Sequence, residues 1–124
     1  MTKRKTIFEI GQTVYHVSAY APTKMKLQEC SVLSLNKKCY KIYIYQLKDV
    51  ESKEVFSYVE GSTLCYASPS KSKTIKRLLE LAQSWAYRAQ DFLIKFPSHK
   101  KRAWWIDCLM HCQELIATYE SDKR

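Results

Sequence analysis

The chain has 124 residues, of which 46% are apolar and 27% are charged, and its formal net charge at pH 7 is +9. This length fits one domain, and the apolar content excludes a largely disordered chain. No apolar run approaches the ~20 residues of a membrane-spanning helix, and the basic start lacks the apolar segment of a secretory signal.

The excess positive charge is spread over both halves of the chain. Residues 1–69 contain ten Lys and Arg and six Asp and Glu, and residues 70–124 contain eleven and six. A basic surface attracts nucleic acid, anionic membranes or acidic proteins. The five cysteines are an odd number without the spacing of a disulfide framework. We therefore expect reduced thiols and a cytoplasmic protein.

The first half of the chain predicts five short strands. Their patterns are TVYHV (13–17), QECSVLSL (28–35), CYKIYIYQL (39–47), Val55–Val59 and Thr63–Ala67. The segment Asn36-Lys37-Lys38 reads as the turn between the second and third strands. Because the connections are too short for crossover helices, we expect antiparallel pairing and a meander that closes into a small barrel.

The third predicted strand has two different faces. One face carries Lys41, Tyr43, Tyr45 and Leu47, and the other carries Tyr40, Ile42 and Ile44. The second face has the composition of a core. The first is either an aromatic surface beside lysine, suited to base stacking or protein contacts, or the apolar floor beneath the helices.

Beyond residue 67 the apolar spacing changes to three and four, which predicts two helices. Three serines can cap the first helix: Ser68 (followed by Pro69), Ser70 or Ser72. Pro97 ends this helix, and Ser98 can cap the second one. The short connection makes the helices antiparallel neighbours. The second apolar stripe consists of Trp105, Cys108, Leu109, Cys112, Leu115, Ile116 and Tyr119.

The segment IGQTVY at 10–15 begins the first strand, and Gly11 there permits a sharp entry. It resembles the hydrophobic-Gly-Asp-Thr-Val-Tyr opening of small SH3-like barrel proteins of bacteria and phages. In those proteins a hairpin, a Tyr-rich third strand, a short fourth strand and a capping helix follow, an order compatible with residues 8–80. Gln12 replaces the usual acidic residue, and the long helical hairpin is an addition. The resemblance implies a binding module without a particular chemistry.

Two groups of basic residues lie at the predicted helix starts, where the helix dipole disfavours cations. The first basic group is Lys71, Lys73, Lys76 and Arg77, and the second basic group is His99, Lys100, Lys101 and Arg102, with Lys95 nearby. Backbone N–H groups and basic side chains together can bind a phosphate or a carboxylate. Exposed lysines can instead serve only to keep the protein soluble, and this alternative to anion binding stays open.

The segment CLMHC at 108–112 is the one cluster that could carry chemistry. Cys108, His111 and Cys112 lie within about one helical turn. A structural zinc site, however, needs a second ligand pair, and a nucleophilic cysteine needs a base held by a third group. Both cysteines also fall on the apolar stripe, where thiols pack as small hydrophobic groups. We expect buried thiols, no metal and no cofactor.

The sequence therefore predicts an α+β protein: a five-stranded antiparallel SH3-like barrel (1–68) and a helical hairpin (69–124) packed as one unit. We expect a protein that is not an enzyme and that binds nucleic acid or a nucleoprotein complex through its basic surface, with no membrane partner. One alternative is a phage or mobile-element protein that inhibits a host protein machine by protein–protein contacts, as anti-CRISPR inhibitors do. Another is an enzyme with a thiol or metal site in the CLMHC segment.

Overall fold

The computed structural model describes residues 8–39 and 42–120. Its elements are β1 (Thr13–Ser18), a short 3-10 turn (Pro22–Lys24), β2 (Gln28–Cys39), β3 (Ile42–Asp49), β4 (Val55–Val59), β5 (Cys65–Ser68), α1 (Lys71–Lys95) and α2 (Arg102–Glu120). Within the described residues, neither helix has both the length and the apolar character that crossing a bilayer requires.

The five strands form one antiparallel sheet in the order β4-β3-β2-β1-β5. The edge strands β4 and β5 approach each other, and the Cys65 thiol donates to the carbonyl oxygen of Val59 at 3.9 Å. Within the described residues, no backbone ladder joins these two strands. The predicted α+β class and antiparallel pairing are confirmed, whereas the sheet curves without closing into a barrel.

Strand β2 continues beyond its predicted end. The segment Asn36-Lys37-Lys38, predicted as a turn, lies in β2, and the strand ends only at Cys39, which pairs with Ile42. The pairing register shifts twice, between Val32 and Ser34 and between Leu35 and Lys37. Such irregularities let a strand bend while its backbone pairing continues, so polar side chains did not mark the turn here.

The core of the sheet lies on the face of β3 that carries its tyrosines. Tyr45 is fully buried and Tyr43 is 7% exposed, whereas Ile42 is 45% exposed. The backbone N–H of Phe8 donates to the Tyr45 hydroxyl at 3.2 Å, which satisfies the polar end of a buried ring. The prediction of a core face is therefore wrong for Ile42 and Ile44, and its third residue, Tyr40, lies outside the described residues. This first core consists of Phe8, Val14, Cys30, Val32, Tyr43, Tyr45, Leu47, Tyr58, Cys65 and Ala67.

A second core joins the β1 side of the sheet to both helices. Its buried members are Val17, Ala19, Met25, Leu78, Leu81, Ala82, Cys108, Cys112 and Leu115. The early part of α1 and the late part of α2 thus share one cluster, which confirms the antiparallel hairpin. Two hydrogen bonds reinforce it: Thr74 Oγ1 donates to the Tyr15 carbonyl at 3.2 Å, and His111 Nε2 donates to the Met25 carbonyl at 2.7 Å.

The helix ends agree with the sequence at α1 and differ from it at α2. Among the three candidate serines, Ser70 caps α1, because its Oγ accepts from the backbone N–H of Lys73 at 3.3 Å. Helix α2 begins only at Arg102, so the prediction that Ser98 caps it is wrong. Instead, Nδ1 of His99 accepts from the backbone N–H of Lys101 at 3.0 Å. The side chain of His99 therefore satisfies a donor next to the start of α2.

The two serines provide a matched test of these helix starts. We expect Ser70→Ala to lower the free energy of unfolding by about 1 kcal/mol, since the Lys73 N–H loses its acceptor. Ser98→Ala should change it by less than about 0.5 kcal/mol, as exposed surface substitutions do. Urea denaturation followed by circular dichroism measures both values. Equal losses in the two variants would contradict these helix boundaries.

Candidate functional site

The end of the helical hairpin that lies away from the sheet has no buried residue. Every side chain from Gln90 to Asp107 is partly or fully exposed. Ala89 and Cys108, which flank this segment, are both 0% exposed. We call residues 90–107 the hairpin tip. Because both cores end before it, the tip must be held together by its own side chains.

Aromatic rings provide that internal support. Phe92 and Trp105 stack across the two helices, with ring centroids 4.7 Å apart and planes at 18°. Phe92 also lies 5.0 Å from Phe96 and 5.1 Å from the ring of His99, and Trp104 meets Trp105 edge-on at 4.9 Å. Each aromatic pair of this kind contributes about 0.5–1.5 kcal/mol beyond the burial of its area. The stack therefore fixes the relative positions of α1 and α2 at the tip.

Some of these apolar side chains remain open to solvent. Trp104 is 40% exposed, Phe96 is 50% exposed and the neighbouring Ile94 is 79% exposed. Single exposed apolar residues are common, but a group of them on one projecting end is typical of an interaction surface. The tip thus presents rings to whatever approaches it.

The tip has four Lys and Arg and two Asp, and its positive residues are grouped between the two aspartates. Residues 95–106 contain four Lys and Arg and no Asp or Glu. Lys95 lies 3.2 Å from the carboxylate of Asp91. Lys100, Lys101 and Arg102 are exposed, and in the described part of the chain none of them forms an ion pair. Three unpaired cations therefore lie in the same hairpin tip as the exposed rings.

The first basic group lies at the other end of α1 and has a different environment. The guanidinium of Arg77 donates to a backbone carbonyl of the loop before β5 at 2.9 Å and to the Glu80 carboxylate at 3.1 Å. Lys71 lines an open cavity of about 490 Å³ whose wall includes Glu29 and Glu51. At 1.5 Å per residue, α1 separates the two basic groups by about 37 Å. They therefore form two surfaces and not one.

The remaining predicted site residues do not join the tip. Lys41 lies outside the described residues. Tyr43 and Tyr45 belong to the first core, so they offer no open surface for base stacking, nor do they form a floor beneath the helices. What the sequence reading missed is the aromatic part of the site. The adjacent residues Trp104 and Trp105, which come two and three positions after Arg102, were the available signal.

The CLMHC segment is built into the second core. Cys108 and Cys112 are fully buried, and His111 bonds to a backbone carbonyl. Burial raises the pKa of the Cys112 thiol to about 12 and also raises the pKa of Cys108. In residues 8–39 and 42–120, no three His, Cys, Asp or Glu side chains are arranged to hold a metal ion. The thiols are thus poor nucleophiles.

This placement predicts slow alkylation of both thiols in the folded protein. At pH 8, brief treatment with iodoacetamide should leave Cys108 and Cys112 unmodified, because both are buried and protonated. In urea, all five cysteines should react. Peptide mass spectrometry reads each site separately. Rapid native labelling of Cys108 or Cys112 would contradict their placement in the core.

Comparisons of the chain with models of known protein families, with curated proteins and with solved structures found no match. The activity of a relative therefore cannot be transferred to the hairpin tip. What the tip binds has to follow from its exposed rings, its unpaired cations and its position beyond the two cores.

Proposed function

We propose that this protein binds single-stranded nucleic acid with its hairpin tip and does so without catalysing a reaction. The observation that carries the proposal is that exposed rings and unpaired cations occupy the same hairpin tip. Trp104 and Phe96 expose apolar area, and Lys100, Lys101 and Arg102 follow one another at the start of α2. Exposed rings stack on unpaired bases, and Lys and Arg neutralise phosphates, so both interactions tolerate any sequence.

The rings favour a single strand over a duplex. In a duplex the bases are stacked inside and offer no free face to a protein ring, whereas an unpaired base can stack on Trp104 or Phe96. Each base–ring stack contributes about 1–3 kcal/mol. Phosphate contacts by three cations would give a logarithmic salt dependence with a slope near −2. Affinity for a single strand should therefore combine both contributions, whereas affinity for a duplex should contain only the second.

We also infer that the sheet is an open variant of the SH3-like barrel, which serves to hold the hairpin. The strand order, with β5 returning beside β1, supports this inference. So does Gly11, whose φ of +87° allows the turn into β1. Gln12 can replace the usual acidic residue because its side-chain oxygen accepts from the backbone N–H of Glu9 at 2.9 Å. The sheet would then be a scaffold, with recognition on the helices.

A second candidate is an acidic surface of another protein, as expected for an inhibitor of a nucleoprotein machine. The exposed aliphatic side chain of Ile94 favours this candidate, because it offers apolar area but no planar ring for a base. The tip would then leave free nucleic acid unbound and form a stoichiometric complex with one protein. Binding measurements on free nucleic acid separate the two candidates.

The two basic groups allow a charge-matched test of the binding site. The variants Lys100→Ala/Lys101→Ala/Arg102→Ala and Lys71→Ala/Lys73→Ala/Lys76→Ala each remove three positive charges. We expect the first to weaken binding of labelled single-stranded DNA roughly tenfold or more at about 50 mM salt and to reduce the salt slope by about 2. The second should keep most of the affinity. Fluorescence anisotropy between about 50 and 200 mM salt measures this difference. Equal losses would show that overall charge, and not the tip, governs binding.

The stacking contribution can be tested at Trp104 alone. We expect Trp104→Ala to weaken single-strand binding by about 1–3 kcal/mol, since one base loses its stacking partner, while duplex binding stays nearly unchanged. Trp104→Phe should restore part of the loss. Tyr87→Ala is the matched control, because Tyr87 is a 72% exposed ring outside the tip. If Trp104→Ala and Tyr87→Ala have the same effect, stacking at the tip is refuted.

A further inference from the structure

A chain of polar side chains crosses one end of the inner face of the sheet. His16, Gln28 and Asp49 come from β1, β2 and β3, and both His16 (4% exposed) and Asp49 (5% exposed) are buried. Gln28 Nε2 donates to Asp49 Oδ2 at 2.8 Å, and Gln28 Oε1 lies 2.9 Å from His16 Nδ1. The other carboxylate oxygen of Asp49 accepts two backbone N–H groups, those of Glu51 and Ser52. The backbone N–H groups thus hold the carboxylate of Asp49 in place at one end of this series of hydrogen bonds.

The direction of these hydrogen bonds fixes the proton on the imidazole. Because the amide nitrogen of Gln28 donates to Asp49, its oxygen can only accept, and His16 must donate from Nδ1. Burial lowers the pKa of His16, although Gln28 and Asp49 act in the opposite direction, so the ring is neutral at pH 7. Its Nε2 then carries a lone pair. This atom has no hydrogen-bond partner among residues 8–39 and 42–120.

The unpartnered nitrogen keeps some accessible area although the residue is buried. Every fully buried side-chain nitrogen or oxygen of the described residues has a partner, so Nε2 is not sealed in the core. His16 lines a cavity of about 340 Å³, whose wall also includes Phe56, Lys24, Lys26 and one acidic residue, Glu54. The ring of Phe56 lies 4.7 Å from the imidazole. The cavity therefore combines an acceptor, an aromatic wall and a net positive lining of two lysines and one glutamate.

We propose that this cavity binds a nucleoside monophosphate, whose base gives an N–H donor to Nε2 of His16 while its phosphate lies near Lys24 and Lys26. A neutral imidazole with a lone pair selects for a donor, the ring of Phe56 favours a planar group, and the lysines favour an anion. The volume is at the small end of ligand pockets, which matches a single nucleotide unit. The nucleotide is either free or the 5′-phosphorylated end of a strand, since both present the same chemistry.

The test uses uridine monophosphate and the ¹⁵N resonance of His16 Nε2 in the full chain. We expect saturable binding, with the Nε2 resonance moving as it accepts a hydrogen bond. Uridine without phosphate should bind at least several-fold more weakly, and the 3-methyl derivative of the nucleotide should leave the resonance in place. This comparison uses the Lys100→Ala/Lys101→Ala/Arg102→Ala variant, so that the tip does not contribute. A 5′-phosphorylated oligonucleotide that moves the Nε2 resonance at a lower concentration than the mononucleotide identifies a strand end as the source, and a higher concentration identifies a free nucleotide.

Variants separate this cavity from the hairpin tip. His16→Phe and Lys24→Ala/Lys26→Ala should each weaken nucleotide binding tenfold or more, whereas Lys100→Ala/Lys101→Ala/Arg102→Ala should not change it. The wild-type titration is decisive even if His16→Phe does not fold. If neither the nucleotide nor the 5′-phosphorylated strand shifts the Nε2 resonance, the proposal is overturned, whatever the tip binds.

Discussion

The second core determines how much of the helical hairpin the sheet can hold. Three residues from the β1 side of the sheet pack against three from α1 and three from α2. At 1.5 Å per residue, the 25 residues of α1 extend about 37 Å. The strands that α1 contacts, β1 and β5, have six and four residues and cover only part of that length, and burial stops at Ala89 and Cys108. Everything beyond these two residues depends on contacts within the hairpin.

That constraint explains why the tip is aromatic. Two helices that leave a core need another source of stability, and the stack of Phe92 on Trp105 supplies it. Rings in a thin structure cannot all be covered, so Trp104 and Phe96 keep exposed area. The exposed rings of the proposed binding surface thus pack directly against the stabilising stack. A binding surface on a rigid stack also loses little conformational entropy when a ligand is bound.

The charges of the tip do not follow from stability. Cations at a helix start oppose the helix dipole by about 0.3–1 kcal/mol each at low salt, and no acidic residue lies in the first turn of α2. His99 accepts a backbone N–H there, a role that a serine or an aspartate fills more commonly. An anionic partner would neutralise Lys100, Lys101 and Arg102 and remove this cost.

Much of the fold can be predicted from the sequence, because apolar periodicity reports directly on strands and helices. Periodicity does not report how tightly a sheet curves, so it could not show that the tyrosines of β3 face inward and that Ile42 faces outward. It also does not show how far along a helix the sheet continues to bury the apolar stripe. For that reason Trp105 is predicted as an ordinary residue of the apolar stripe, whereas the charges of the second basic group are visible in the sequence. The pairing of His16 with Gln28 and Asp49 depends on strand register, which single-strand patterns do not contain.

The most direct measurement is an NMR titration of the ¹⁵N-labelled protein with an unphosphorylated single-stranded oligonucleotide. Indole signals of Trp104 and Trp105 and backbone signals of residues 95–106 should move together and saturate, while those of Lys71, Lys73 and Lys76 stay in place. Shifts centred on the first basic group, or no shifts at low salt, would contradict binding at the hairpin tip.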